Sequence, residues 1–387
     1  MQSESSDESK PAYIKRIEKI NPEKQLVNAL TKKHGKRFSD YREKYFKVLN
    51  SSKENYNYVP DYPLNVLVEV VNKCNLECIM CLSSHRKGPT KVISEETISK
   101  LFKEFKENEL PALMFGAGDE PLMFSDIDKM WEIANSSGIM DIFIFTNGTL
   151  LNDEMCKKIL DQNVARVYVS LDAATEETYS KIRLKNKNIE EQTSGQNNLK
   201  IIDEDSNRLA AIEENVKRLL KLRNSKNLEL PQIRLSFAVQ QRNKHEIELF
   251  KKKWENIVDF IEFQQTMNID FDKLSRLSEE ERWKRRDPLF KDNFVKDCKA
   301  PFHSATVYAD GSVIPCCTFQ GKNLTLGNIN GIPELNIPAQ SLKELWNGEK
   351  INELREQFKT GKLNIVCQYC LNHTQADIWN NIEEERK

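Results

Sequence analysis

Three cysteines stand within eight residues, Cys74-Asn-Leu-Glu-Cys78-Ile-Met-Cys81, directly after an apolar run at residues 64–71. Thiols so closely spaced on one loop can turn toward a single point. Three thiolates fall one short of the four that close a structural zinc site. They suit a four-iron cluster whose fourth iron stays open to a further ligand. A zinc site completed from elsewhere, for example by His85, is the alternative. The loop follows the carboxyl end of an expected strand, where α/β folds place their chemistry.

A second group comprises Cys298, Cys316, Cys367 and Cys370. Twelve residues separate Cys298 from Gly311 and four separate Gly311 from Cys316, while Cys367 and Cys370 form a CxxC pair. Four thiolates in two groups suit a closed site, either a fully ligated iron–sulfur cluster or a zinc ribbon. Adjacent thiolates rarely bind one iron, and the spacing selects Cys316 over Cys317. Cys156 falls within an expected helix at residues 153–162 and reads as a packed thiol.

The elements that must position these groups alternate. Apolar runs occur at residues 64–71, 112–115, 141–145, 167–171, 233–239 and 258–263. Helix-period stretches lie between them. Ile98, Leu101, Phe102 and Phe105 repeat at i, i+3, i+4, i+7, and Ile212, Val216, Leu219 and Leu220 at i, i+4, i+7, i+8. Alternating strands and helices imply right-handed βαβ units and a parallel sheet. Six strands are fewer than the eight of a closed barrel, so a partial (β/α)6 barrel or an open sheet fits the α/β pattern.

The remaining segments differ in composition. Residues 1–62 are polar and read as an N-terminal helical extension, with helical pattern over residues 13–49. The barrel is expected over 63–270, interrupted by a polar insertion at 184–208, and a linker follows at 271–296. Residues 297–371 carry turn signals, short strand-like runs, one expected helix near 342–358 and five cysteines, as a small α+β module built around a metal site would. A polar, helical tail is expected over 372–387.

Composition narrows the function classes. Lys and Arg total 58 against 59 Asp and Glu, a net charge of −1, so nothing points to general nucleic-acid binding. The 387 residues include 13 Gly and 13 Pro, too few for a collagen-like or Gly/Pro-rich disordered chain. The mean hydropathy is −0.63 and no uncharged apolar stretch approaches the length of a membrane span. The N-terminal MQSESSDESK has no basic start and no apolar run, so a cytoplasmic location is expected, where the thiols stay reduced.

Taken in order along the chain, these motifs resemble the radical S-adenosylmethionine (SAM) superfamily. CxxxCxxC after the first strand is its signature, here Cys74, Cys78 and Cys81. Gly116-Ala117-Gly118-Asp119-Glu120-Pro121-Leu122 resembles the Gly-Gly-Glu motif that holds the SAM amino group. Thr146-Asn147-Gly148 follows the third strand, and Val169-Ser170-Leu171-Asp172 resembles the segment that contacts ribose and carboxylate. Tyr179-Ser-Lys-Ile-Arg183 matches the helix that often comes next. Two positions depart from the family pattern. Asp119 stands where the second glycine is usual, and Met80 stands where an aromatic residue near the adenine is usual.

The resemblance implies cofactor contacts at Met80, Gly118, Asp119, Glu120, Asn147, Ser170 and Asp172. It implies a SAM-binding [4Fe-4S] cluster on the first three cysteines. A reduced cluster would cleave SAM to methionine and a 5′-deoxyadenosyl radical, which takes a hydrogen atom from the substrate. The C-terminal cysteines, with Asp310-Gly311-Ser-Val-Ile-Pro-Cys316 and Leu342-Lys-Glu-Leu-Trp346-Asn347, resemble a SPASM domain in its shortened "twitch" form, with one auxiliary [4Fe-4S] cluster. That architecture is similar to dehydrogenases of amino-sugars and aminocyclitols, which makes oxidation of a small carbohydrate-like metabolite the expected reaction. A peptide-modifying maturase (oxidation, cross-link or epimerisation) and a zinc-stabilised, non-catalytic binding protein are the alternatives. Epimerisation would need a thiol to return a hydrogen atom, for which Cys156 and Cys317 are the candidates. A flavodoxin, ferredoxin or reductase is the expected electron donor. Arg183, His245 and His303 are polar groups that the sequence does not place.

Overall fold

The computed structural model describes residues 16–18, 22–51, 58–81, 89–116, 118–185, 208–265, 276–286, 298–316 and 319–372. The chain opens with a short strand, β1 (Arg16–Glu18), and two helices, α1 (Pro22–His34) and α2 (Lys36–Leu49). The barrel then alternates as its apolar pattern requires. Its strands are β2 (Asn65–Val68), β4 (Ala112–Phe115), β5 (Asp141–Thr146), β6 (Arg166–Ser170), β8 (Gln232–Val239) and β9 (Phe260–Gln265). Two short strands, β3 (Leu76–Cys78) and β7 (Arg183–Lys185), pair with each other outside the main sheet.

The helices between strands are α3 (Glu95–Glu107), α4 (Ile127–Ser136), α5 (Asp153–Asp161), α6 (Glu176–Ile182), α7 (Arg208–Ser225) and α8 (Ile247–Trp254). Three of these helices start at a capping side chain. Ser94, Asn152 and Thr175 cap α3, α5 and α6 by accepting a backbone N–H from within the first turn. The six barrel strands are all parallel, in the order β2-β4-β5-β6-β8-β9, and form a partial barrel.

Strand alternation separates two faces. On β8 and β9, Phe237 and Phe263 meet Phe250 of α8, with ring centroids 4.9 and 6.2 Å apart. That face, with Ile144, Val167, Val169, Leu235 and Ile261, is the apolar seam between sheet and helices. The opposite, concave face carries Phe143, Phe145, Tyr168, Arg234 and Phe260.

The remaining elements are α9 (Glu279–Trp283), α10 (Ala300–His303), β10 (Ser304–Val307), β11 (Ser312–Ile314), β12 (Gly327–Asn328), α11 (Leu342–Asn347), α12 (Glu349–Thr360) and α13 (Ile365–Asn372). Three features go beyond the sequence pattern. First, β10 pairs in parallel with β2, so the C-terminal module continues the barrel sheet. Second, β1 pairs antiparallel with β9 at the opposite edge, so both edges of the barrel sheet are covered. Third, the single helix expected near 342–358 is two helices, broken at Gly348, whose extended backbone (φ −73°, ψ 173°) cannot continue a helical turn. The expected insertion at 184–208 and the tail at 372–387 fall almost wholly outside the described residues.

His303 lies at the amino ends of the strands. The β10–β2 register sets Ser304 opposite Asn65, and His303 Nδ1 lies 3.1 Å from Asn65 Nδ2 and edge-on to Tyr45. It is therefore remote from the cysteine loop at the other end of β2. Burial lowers its pKa to about 4. An unfolded histidine, at about 6.5, binds a proton that the folded one refuses between those values. Stability should therefore rise as pH climbs from about 4 to 6.5. We expect an anaerobic urea midpoint corresponding to on the order of 1–2 kcal/mol more stability at neutral pH than near pH 5. His303→Gln should shrink that difference, and an unchanged difference would refute the assignment.

Candidate active site

The chain leaves β2 and reaches Cys74 through a short loop. Cys78 closes β3 and pairs in register with Arg183 of β7. The Ile79 N–H donates to the Ile182 carbonyl at 3.0 Å, and the Cys81 N–H to the Cys78 carbonyl at 2.9 Å. This ribbon pins the three-cysteine loop over the carboxyl ends of the strands. Cys74 Sγ accepts from the Leu76 N–H (3.4 Å) and from Asn147 Nδ2 (3.7 Å). Asn147 also donates to Asn75 Oδ1 at 2.8 Å, while its own Oδ1 accepts from Thr149 N at 2.9 Å. The turn after β5 thus orients the cysteine loop.

The thiols respond to one another. Burial drives Cys74 well above the usual thiol range, and Glu120, Cys78 and Cys81 raise it further. Burial pushes Cys78 up to about 12, against the pull of the Arg183 guanidinium. Two buried thiols that resist ionisation alone, Cys74 and Cys78, with N–H donors at the Cys74 sulfur, fit an iron–sulfur centre whose positive charge reverses that balance. Among the described residues, no three His, Cys, Asp or Glu side chains are drawn together as a single metal ion would need. His85, the alternative zinc ligand, lies outside the described residues.

The loop after β4 carries the acidic motif. Gly116 has φ 108°, and a Cβ there would stand 2.8 Å from the Phe145 carbonyl oxygen, so only glycine fits. Gly118, at φ 98°, and Asp119 are half-buried, and Ala117 is outside the described residues. Glu120 is 1% exposed. Its carboxylate accepts from Thr146 Oγ1 (2.7 Å), the Asn147 N–H (2.7 Å) and the Leu122 N–H (3.2 Å). Burial raises its pKa to about 7, against those three donors. Glu120 therefore fixes the Asn147 turn and keeps part of its acceptor capacity.

Asp172 has a left-handed backbone, φ 60°, which aspartate tolerates better than most residues. Its Oδ2 accepts from Arg183 Nε (3.0 Å) and Nη2 (2.6 Å), and its Oδ1 from the Ala238 N–H (2.6 Å). Both oxygens are thus engaged within the protein. Ser170 is half-buried at the carboxyl end of β6, and Met80 is half-buried beside Cys81. Arg183 sits between Asp172 and Cys78. Burial opposes its charge, and Asp172 and Cys78 more than offset this, so it stays protonated. His245 is 66% exposed and stands outside this cluster. Cys156 is buried in α5, donating to the Leu151 carbonyl at 3.5 Å.

The sequence pattern did not single out several concave-face groups. Arg234 pairs with Glu262 and lies over the Tyr168 ring at 3.6 Å. Ser236 Oγ is buried without a hydrogen-bond partner. Polar residues at alternate positions of an otherwise apolar strand, as in Ile233-Arg-Leu-Ser-Phe237, are the signal that marks them.

The second cysteine set gathers around Cys367. Burial drives the Cys367 thiol well above its usual range, and Cys370, Cys316 and Cys298, lying near it, raise it further. Buried Asn364 holds Cys367, accepting its N–H at 2.9 Å and donating to its sulfur at 3.6 Å. Thr306 Oγ1 donates to the Cys316 carbonyl at 2.8 Å, tying this set to β10. Cys317 is outside the described residues.

A partial barrel with three thiols on the loop after its first strand, joined to a module holding four more, defines the architecture of radical SAM enzymes with an auxiliary cluster. Residues 68–203 match the model of the radical SAM superfamily, and residues 298–371 match that of the SPASM iron-sulfur cluster-binding domain. The chain belongs to the radical SAM superfamily and carries a C-terminal SPASM domain. These domains bind a SAM-ligating [4Fe-4S] cluster, an auxiliary iron–sulfur cluster and SAM.

Among curated relatives, 7,8-dihydro-6-hydroxymethylpterin dimethyltransferase of Methanocaldococcus jannaschii is 30% identical over 123 residues, 31% of this chain and 24% of that protein. A probable GTP 3′,8-cyclase of Methanococcus maripaludis is 34% identical over 119 residues, 30% of this chain and 38% of that protein. The chain thus spans well under half the length of these relatives. Streptococcus suis SuiB bound to its precursor peptide SuiA shares the fold, at TM-score 0.52 and 14% identity, over 89% of this chain and 77% of that one. AdoMet-bound anSMEcpe shares it at TM-score 0.50 and 17% identity, over 79% and 94%. No helix among the described residues is long and apolar enough to cross a membrane.

Proposed function

We propose that this chain is a radical SAM oxidoreductase that dehydrogenates a small carbohydrate- or aminocyclitol-like metabolite. The observation that supports this reading is the placement of Cys298, Cys316 and Cys370 near Cys367, close enough for each to raise its pKa. Four thiolates close a cluster completely, which suits an electron acceptor better than a substrate ligand. When bound, the two clusters and SAM supply a 5′-deoxyadenosyl radical and a place for one electron.

The chain's own residues hold and orient. Cys74, Cys78 and Cys81 hold the SAM-binding cluster, and the C-terminal four hold the auxiliary one. Gly118, Asp119, Glu120, Asn147 and Ser170 line the SAM site, with Met80 on its adenine side. Asp172 fixes the turn after β6 through Arg183 and Ala238. Reducing equivalents come from a flavodoxin- or ferredoxin-type donor.

The test is an anaerobic assay with dithionite over a panel of sugars, aminocyclitols and peptides. We expect roughly one 5′-deoxyadenosine per product, with the product lighter by one pair of hydrogens. A product of unchanged mass, or turnover confined to peptides, would overturn the dehydrogenase reading.

A further inference from the structure

The concave face of β6, β8 and β9 carries a row of polar side chains. Register sets Ser170 opposite Ser236 and Ser236 opposite Glu262. Adjacent strands lie about 4.8 Å apart, so the three form a continuous ledge. One residue pair further toward the amino ends, Tyr168, Arg234 and Phe260 form a floor, with the Arg234 guanidinium 3.6 Å from the Tyr168 ring centre. Glu262 is held from below by Arg234 and from the side by Gln264 Nε2 at 2.8 Å.

Two facts point to a ligand. Ser236 is 6% exposed and its hydroxyl has no hydrogen-bond partner. An orphaned buried hydroxyl costs stability that alanine would not. Nothing in the packing needs it, and it faces the same ledge as Ser170. The second fact is charge. Arg234 is matched by Glu262, Arg166 by Asp141, and Arg183 by Asp172. Each of these buried arginines already has its carboxylate, so the wall is polar yet electrically balanced.

We propose that Ser236 and Glu262 form the substrate-binding ledge and that it takes a hydroxylated ring carrying no phosphate or other anionic group. The inference rests on the radical SAM oxidoreductase reading and names its substrate class. The Ser236 hydroxyl can donate to or accept from ring hydroxyls, the Glu262 carboxylate accepts from them, and the stacked Tyr168 and Arg234 side chains offer a flat floor beneath. Phosphate would find no unspent arginine on this ledge and would meet the Glu262 charge.

The test is calorimetric binding to the reconstituted, SAM-loaded protein, with myo-inositol, glucose, glucose 6-phosphate and GTP as probes. We expect the neutral ring compounds to bind and glucose 6-phosphate to bind less tightly than glucose. Ser236→Ala should weaken that binding about 3- to 10-fold. Its melting temperature should equal or exceed that of wild type, which a structural role for the hydroxyl would not allow. Glu262→Gln should weaken binding about tenfold or more. Tighter binding of the phosphorylated probes, unchanged affinity in both variants, or no binding of either neutral ring would each overturn the proposal. Substrate-free 5′-deoxyadenosine formation by the wild-type protein checks the underlying reading separately, since it does not involve the ledge.

Discussion

Replacing Cys74, Cys78 and Cys81 together by alanine is expected to lower the iron content of the reconstituted protein from about eight to about four per chain and to abolish 5′-deoxyadenosine formation. The expectation follows from the two separate thiol sets. The first three are held by the β3–β7 ribbon and by Asn147. The second four are held by Asn364 and by the Thr306 anchor on β10. The two sets are anchored through different elements, so emptying one should leave the other loaded. The complementary variant, Cys367→Ala with Cys370→Ala, should also lose about four irons. Iron, sulfide and zinc determinations on the three proteins check this. About four irons with one zinc in wild type would make the C-terminal module structural and remove its electron-accepting role. Wild-type protein without iron would sink the enzymatic reading.

Arg183→Met is expected to destabilise the fold by about 3–5 kcal/mol, because it strands a buried carboxylate. Asp172 and Arg183 side chains are 2% and 6% exposed, and Asp172 occupies a left-handed backbone position where its two oxygens hold β7 and the end of β8. Without the guanidinium, Asp172 must either stay charged and unpaired or take up a proton. Asp172→Asn in the same chain should recover part of the loss, since the amide tolerates the same backbone and its oxygen can still accept from Ala238. Urea unfolding of the single and double variants checks the coupling. A loss below about 1 kcal/mol would show that the pair behaves like an exposed one.

Much of this was legible in the sequence. The six apolar runs are the six parallel strands, and the helix-period stretches at Ile98–Phe105 and at Ile212–Leu220 lie within α3 and α7. The cysteine sets were legible because ligand chemistry demands a residue type and a spacing. What was not legible depends on distant partners. β1 is three residues long and exists only through its pairing with β9. The donors to the Glu120 and Asp172 carboxylates come from β5, β7 and β8, strands later in the chain, so no local pattern announced them. His303 and Arg183 looked equivalent as isolated polar residues. The register of β10 sends one to the amino end of the barrel, and the β3–β7 ribbon brings the other to the mouth.

The pairing of β10 with β2 also has a consequence for synthesis. β2 is the first strand of the barrel to leave the ribosome, and the strand that covers its outer edge is among the last. At cellular elongation rates the interval is roughly tens of seconds. Through that time Asn65–Val68, a wholly buried strand in the finished fold, offers an unpaired backbone edge to any neighbouring chain. Until residues beyond Ser304 emerge, that edge is the barrel's main aggregation hazard, and a translation pause before β10 would prolong it.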